Sequence, residues 1–212
     1  MIKKNKHKGD IMQTILGSSG VIGKELAKTL PQYTNKIRLV SRNPKKANDS
    51  DELFKADLLN ADETMKAVEG SEVVYLTVGL QYDINVWKRD WPVIMKNAIE
   101  ACKKNSSKLV FFDNVYSYGK VDGWMTEETP VKPDSEKGKA RAELNKMIMN
   151  EVEQGNIKAI IAKAADFYGP NTPLSFVCVR EKKGFSVSQW GACLKMSHIW
   201  KRGEWVFKGL QF

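Results

Sequence analysis

Apolar positions along this chain fall into short runs separated by polar or glycine-rich breaks, and their spacing switches between the periods of strand and helix. Gln13-Thr14-Ile15-Leu16 reads as the end of a strand. It runs through Gly17-Ser18-Ser19-Gly20-Val21-Ile22-Gly23 into residues 24–30, where Leu26 and Leu30 share one helical face. A second strand is predicted over 36–41 and a third over 53–58. A helix over 60–68 closes at Gly70. The β-branched run at 72–79 predicts a strand buried on both faces of a parallel sheet.

Residues 87–104 place Trp87, Trp91, Ile94, Ala98 and Ala101 near helical spacing, and core packing explains these tryptophans better than stacking on a substrate does. A fifth strand over 108–113, a helix over 139–152 and a sixth strand over 157–164 complete the alternation. Strands and helices alternating at this spacing predict an α/β fold, a Rossmann-like doubly wound parallel sheet with flanking helices. From 174 onward the pattern changes. Trp190, Trp200 and Trp205 follow no sustained period, so the chain divides into a basic arm (1–11), an α/β Rossmann-like domain (12–173) and an atypical or truncated C-terminal part (174–212).

Composition narrows the class. Hydrophobic residues at 42% and charged residues at 28% over 212 positions are ordinary for a globular chain that buries a core. No apolar run approaches the ~20 residues of a membrane span, and no apolar segment follows the N-terminal lysines, so a cytoplasmic location without membrane contact is expected. Three cysteines without C-x-x-C spacing and two scattered histidines argue against a disulfide framework and against a metal site. The net charge of +9 raises nucleic acid as a partner. The lysines are dispersed, however, and no stacking aromatics are interleaved among them, so a solvated surface favouring small anions is the better reading.

The chemistry starts at Gly17-x-x-Gly20-x-x-Gly23. Gly17 permits the turn, Gly20 lets a ligand approach the backbone, and Gly23 lets helix pack on strand. The amides at the helix start, around Ser18, Ser19, Val21 and Ile22, suit a diphosphate. A dinucleotide is the expected ligand. The second strand ends at Ser41-Arg42 with no acid to take a ribose 2′-hydroxyl, and Lys45 and Lys46 stand nearby; NADP is favoured, with NAD the alternative. Asp57, followed by Leu58, is placed either to meet the adenine amino group or to cap the following helix. Thr77, Val78 and Gly79 end the fourth strand where the nicotinamide half would lie, and the fifth strand exits through Asp113, Asn114, Tyr116 and Tyr118, where a substrate would sit.

These residues, with Lys139 and Glu143 and with Asp166-Phe167-Tyr168-Gly169-Pro170 after the sixth strand, resemble the short-chain dehydrogenase/reductase superfamily, in its extended or atypical branch of NAD-dependent epimerase/dehydratase-like proteins. The resemblance covers about 13–170. It implies a Ser or Thr at the fifth-strand exit, a Tyr acting as general acid/base, and a Lys four residues later that binds the nicotinamide ribose and eases ionisation of the Tyr. Here the serine position holds Asn114 and the tyrosine position holds Ser135; Lys139 alone is retained.

Two readings follow. In one, the protein is an epimerase-, dehydratase- or reductase-like enzyme acting on a small molecule such as a nucleotide sugar or carbonyl compound. Its acid/base then comes from Tyr116, Tyr118, Tyr82 or Asp113, with Asn114 positioning the substrate. In the other, it is a non-catalytic NADP(H)-binding redox sensor, and Tyr116 and Tyr118 only pack their loop. The resemblance also implies a homodimer as an option, and a C-terminal part that is a remnant of a substrate-binding region.

Overall fold

The structure is a computed structural model and describes residues 9–164. Strands and helices alternate as β1 (Gly9–Leu16), α1 (Val21–Thr29), β2 (Thr34–Ser41), β3 (Glu52–Lys55), α2 (Ala61–Val68), β4 (Val73–Leu76), α3 (Ile84–Asn105), β5 (Lys108–Asn114), α4 (Glu136–Glu153) and β6 (Lys158–Ala164). They build one six-stranded sheet in the order β3-β2-β1-β4-β5-β6. β1 lies between β2 and β4, all parallel, and the pairs β2–β3 and β4–β5 are parallel too. The doubly wound Rossmann-like sheet predicted from the alternation is therefore the fold of these residues. The strand order reverses between β1 and β4, which opens a crevice beyond their carboxyl ends. The residues from 165 onward, including the segment at 174–212 and the Asp166-Phe167-Tyr168-Gly169-Pro170 run, lie outside the described residues, as do 1–8 of the basic arm. β1 starts inside that arm, Gly9 pairing with Thr34 across an irregularity in register before Met12.

The core sits where the apolar period put it. All four residues of β4 are buried, because helices cover both faces of the sheet. The one polar group they bring in, the Tyr75 hydroxyl, donates to Gln13 Oε1 at 2.8 Å. Trp91, Met95 and Ala98 of α3 face Phe111 of β5 and Leu144 and Ile148 of α4, and the Trp91 and Phe111 rings meet edge to face at 6.0 Å. Burying each such side chain contributes about 1.5–3 kcal/mol, so the tryptophans are framework.

Two boundaries differ from the sequence reading. α3 begins at Ile84, a turn before Trp87, because Asp83 accepts from the amides of Asn85 (2.7 Å) and Val86 (3.4 Å). That cap carries no apolar period and was invisible to it. α2 is capped by Asn60, whose Oδ1 accepts from Asp62 and Glu63, while Asp57 instead accepts from Leu59 N at 3.0 Å. The capping alternative for Asp57 therefore falls.

Candidate active site

The crevice is shaped first by Gly17. Its φ of +91° belongs to the region that favours glycine, and a Cβ there would lie 2.8 Å from Val78 N. The amides of Gly17 and Ser18 both donate to Val40 O, at 2.9 and 3.0 Å, so the turn is tied to β2 before any ligand arrives. At Gly23 a Cβ would lie 2.6 Å from Gly17 O and 2.8 Å from Ser18 Cα, so this glycine lets α1 close onto the turn itself. Lys24 N makes the first helical bond, to Gly20 O at 3.1 Å. Ahead of it Gly20 N donates to Gly17 O at 3.0 Å, so the amides that the start of α1 leaves without a helical acceptor are those of Val21, Ile22 and Gly23. α2, α3 and α4 carry side-chain caps from Asn60, Asp83 and Ser135, whereas α1 has Gly20 at its cap and no acid in its first turn.

A cavity of about 850 Å³ opens over this turn. Gly17, Ser18, Ser19 and Gly20 form its floor, Arg42 and Asp57-Leu58 one wall, and Val78-Gly79 the other. Val21, Ile22, Gly23 and Thr77 are not part of its lining: Gly23 is packed behind the turn, and Thr77 Oγ1 donates to Leu16 O at 3.1 Å, fastening the end of β4 to β1. Ser18 Oγ is buried and finds no hydrogen-bond partner within the described residues, so one polar atom of the floor awaits an acceptor or donor.

Cations surround the cavity. Lys24 and Lys28 of α1 and Arg42, Lys45 and Lys46 after β2 all line it, and Arg89 of α3 stands across from them in a two-point pair with Asp90, at 2.6 and 2.9 Å. The Asp90 carboxyl is held below its ordinary range by that hydrogen-bonded guanidinium. The loop carrying Arg42 is built in advance. Ser19 Oγ meets Ser41 Oγ at 2.7 Å and donates to Asn43 O at 3.0 Å, Asn48 Nδ2 donates to Ala27 O of α1 at 2.9 Å, and Asp51 accepts from the amides of Ala47 and Asn48.

The exit of β5 forms the other end. Asn114 Oδ1 accepts from Tyr116 N at 3.0 Å, closing a single 3-10 turn at Tyr116–Tyr118. The Tyr116 and Tyr82 hydroxyls meet at 3.4 Å, and Lys137 Nζ lies over the Tyr82 ring, 3.0 Å from its centre. Tyr82 follows Gln81, which lines the cavity, but Tyr82, Asn114, Tyr116 and Tyr118 are not part of its lining. Burial, with Asp113 and Glu127 nearby, raises the Tyr118 phenol above its ordinary value and keeps it protonated at neutral pH.

Lys139 is placed otherwise than the resemblance implies. Its side chain is 61% exposed and pairs with Glu136 at 2.8 Å on the solvent side of α4. Ser135, at the tyrosine position, spends its hydroxyl on Gly138 N as the cap of α4. Asp113 is fully buried and paired with Lys163 of β6 at 2.8 Å, which shuts its carboxylate off from a substrate. Sequence reasoning missed Lys163 and Arg141, both held against Asp113, and Lys24, Lys28 and Lys137. For Lys163 a signal existed: it interrupts the apolar run that follows Lys158 in β6, where a solvated cation has no place.

Residues 13–180 match the profile of the NAD dependent epimerase/dehydratase family. No curated protein sequence matches the chain. Among solved structures, UDP-glucuronic acid 4-epimerase from Bacillus cereus, in complex with NAD, superposes with a TM-score of 0.66 at 20% identity over 76% of this chain and 59% of its own. A mutant of uronate dehydrogenase from Agrobacterium tumefaciens, complexed with NAD, gives 0.64 at 15% identity over 70% of this chain and 58% of its own. Glucuronic acid dehydrogenase from Chromohalobacter salexigens gives 0.63 at 17% identity over 70% and 58%. At such identities the likeness is one of fold, and this chain spans under two thirds of each of them.

Proposed function

Because the chain belongs to the NAD-dependent epimerase/dehydratase family, we propose that it binds NADP(H) over the Gly17–Gly20–Gly23 turn and works on a small carbonyl compound or nucleotide sugar, with Tyr116 as the acid/base in place of the missing tyrosine. When bound, the cofactor supplies or accepts a hydride. The observation that carries the cofactor assignment is the cationic wall: Arg42 follows Ser41 at the end of β2, where no carboxylate stands, and Lys24, Lys28 and Lys45 face the same space. A 2′-phosphate suits those cations, whereas the end of β2 offers a 2′-hydroxyl no carboxylate to accept its hydrogen bond. Ser18 Oγ, buried and unpartnered, is the floor's remaining donor for the diphosphate.

At the reacting end Tyr116 is more exposed than Tyr118 and accepts from the Tyr82 hydroxyl, so once Tyr116 has given up its proton a neighbouring hydroxyl can replace it. Lys137 Nζ over the Tyr82 ring places a cation beside the pair. Asn114 holds the turn through its side chain. The test is calorimetric titration of NADPH and NADH, followed by NADPH oxidation over aldehydes, quinones and sugar nucleotides. Failure of both nucleotides to bind would remove the whole reading.

A second reading has its own support. With Ser135 committed to a helix cap and Lys139 turned to solvent, neither of the two family positions on α4 carries its usual chemistry, which favours an NADP(H)-responsive regulator. Cofactor binding without turnover across the panel would select it.

A further inference from the structure

Beneath the turn that carries the tyrosines lies a cluster of charges outside the cofactor cavity. Asp113, at the end of β5, is wholly buried. Lys163 Nζ donates to its Oδ2 at 2.8 Å, to Ser117 Oγ at 2.9 Å and to Asn114 O at 3.4 Å, and lies 4.9 Å from the centre of the Tyr118 ring. A single ammonium thus spends its three donors on three positions of one segment, 113–117. Arg141 of α4 approaches from the other side, with Nη1 3.5 Å from Asp113 Oδ1, but without the angle of a hydrogen bond. It is held mainly over the Trp91 and Trp87 rings, at 4.3 and 4.6 Å. Of the two cations, Lys163 therefore makes the directional contacts.

We propose that Lys163 is the positioning residue of the site: from β6 it sets the conformation of the β5 exit turn and so the place of Tyr116 and Tyr118, a post that Lys139 does not hold. Lys163 is 17% exposed and bonded to the turn at Asn114 O and Ser117 Oγ, whereas Lys139 is 61% exposed and bound to Glu136. The consequence for catalysis rests on the proposed role of Tyr116; the effect on the turn does not.

Hydrogen–deuterium exchange of the full chain, read peptide by peptide, tests the two separately. In Lys163→Met, peptides covering 114–119 should exchange about tenfold faster or more, while those covering 17–41 keep their rates, because opening of a local unit leaves the rest protected. Lys163→Arg, which restores the charge and donors, should return the turn towards its original rate. Ser117→Ala removes one of the three bonds without stranding a buried charge, and should loosen the same peptide to a smaller degree. Unchanged exchange at 114–119 in Lys163→Met and Ser117→Ala overturns the proposal, as does an equal rise across every peptide or the same local rise from Lys139→Met alone. Protection of 17–23 on adding NADPH is read in the same experiment. Its absence defeats the cofactor assignment and leaves the result on the turn intact.

Discussion

The hydroxyls of Tyr82 and Tyr116 lie 3.4 Å apart although the residues are 34 positions apart in sequence. One comes from the loop after β4, the other from the turn after β5, and they meet because those strands are neighbours in the sheet. Replacing Tyr116 with Phe removes the group proposed to exchange a proton with substrate. Turnover of NADPH should drop by about 10²–10⁴-fold, the usual worth of a general acid/base, with affinity for NADPH unchanged. Tyr82→Phe should cost less, since it only supplies the partner. Stopped-time assays on any substrate found by the panel, beside calorimetry, decide between these effects.

The proposed preference for NADP(H) rests on Arg42, which lines the cavity. Arg42→Ala should weaken NADPH binding by roughly 10- to 100-fold, the loss of a charge-assisted contact of about 1.5–3 kcal/mol, and leave NADH nearly where it was. An equal change for both nucleotides would place the guanidinium away from the 2′ position.

Gly23→Ala drives a methyl into the backbone of the glycine turn, 2.6 Å from Gly17 O. Neither atom is the end of a flexible side chain, so α1 must shift. A loss of about 1–3 kcal/mol is expected, read as a lowered melting temperature together with weaker binding of either nucleotide. A variant as stable and as tight as the parent would show that the turn tolerates displacement.

Glu136 offers a pH test. Hydrogen bonds from Lys139 and Lys88 hold its carboxyl well below the ordinary 4.5, at about 2. A folded-state value below the unfolded one stabilises the fold above the unfolded value, and the contribution fades as pH falls from about 4.5 through about 2. Glu136→Gln should therefore melt below the parent at neutral pH and converge with it near pH 2. The gap should be small and should shrink with added salt, because the group is at the surface. A gap that widens in acid would contradict the assignment.

The framework was legible because it depends on periodicity. The buried run at β4, the spacing of Trp87, Trp91, Ile94 and Ala98, and the three glycines each impose a local pattern that survives in one dimension. Capping side chains shifted the start of α3, since Asp83 acts through a bond to an amide and leaves no apolar mark. The reacting end was legible only as a set of tyrosines and polar groups near β5. The arrangement there depends on contacts between distant strands: Asp113 is buried against Lys163, fifty positions away, while Lys139 pairs with Glu136 one turn back on its own helix.

Asn48 fastens the Arg42 loop to α1, and Asp51 holds Ala47 and Asn48 from within the loop. A nucleotide held as proposed would then meet a finished surface, with little loop entropy left to lose upon association. Capture should be quick and limited by encounter, and ionic strength should act on the rate of arrival more than on the rate of departure.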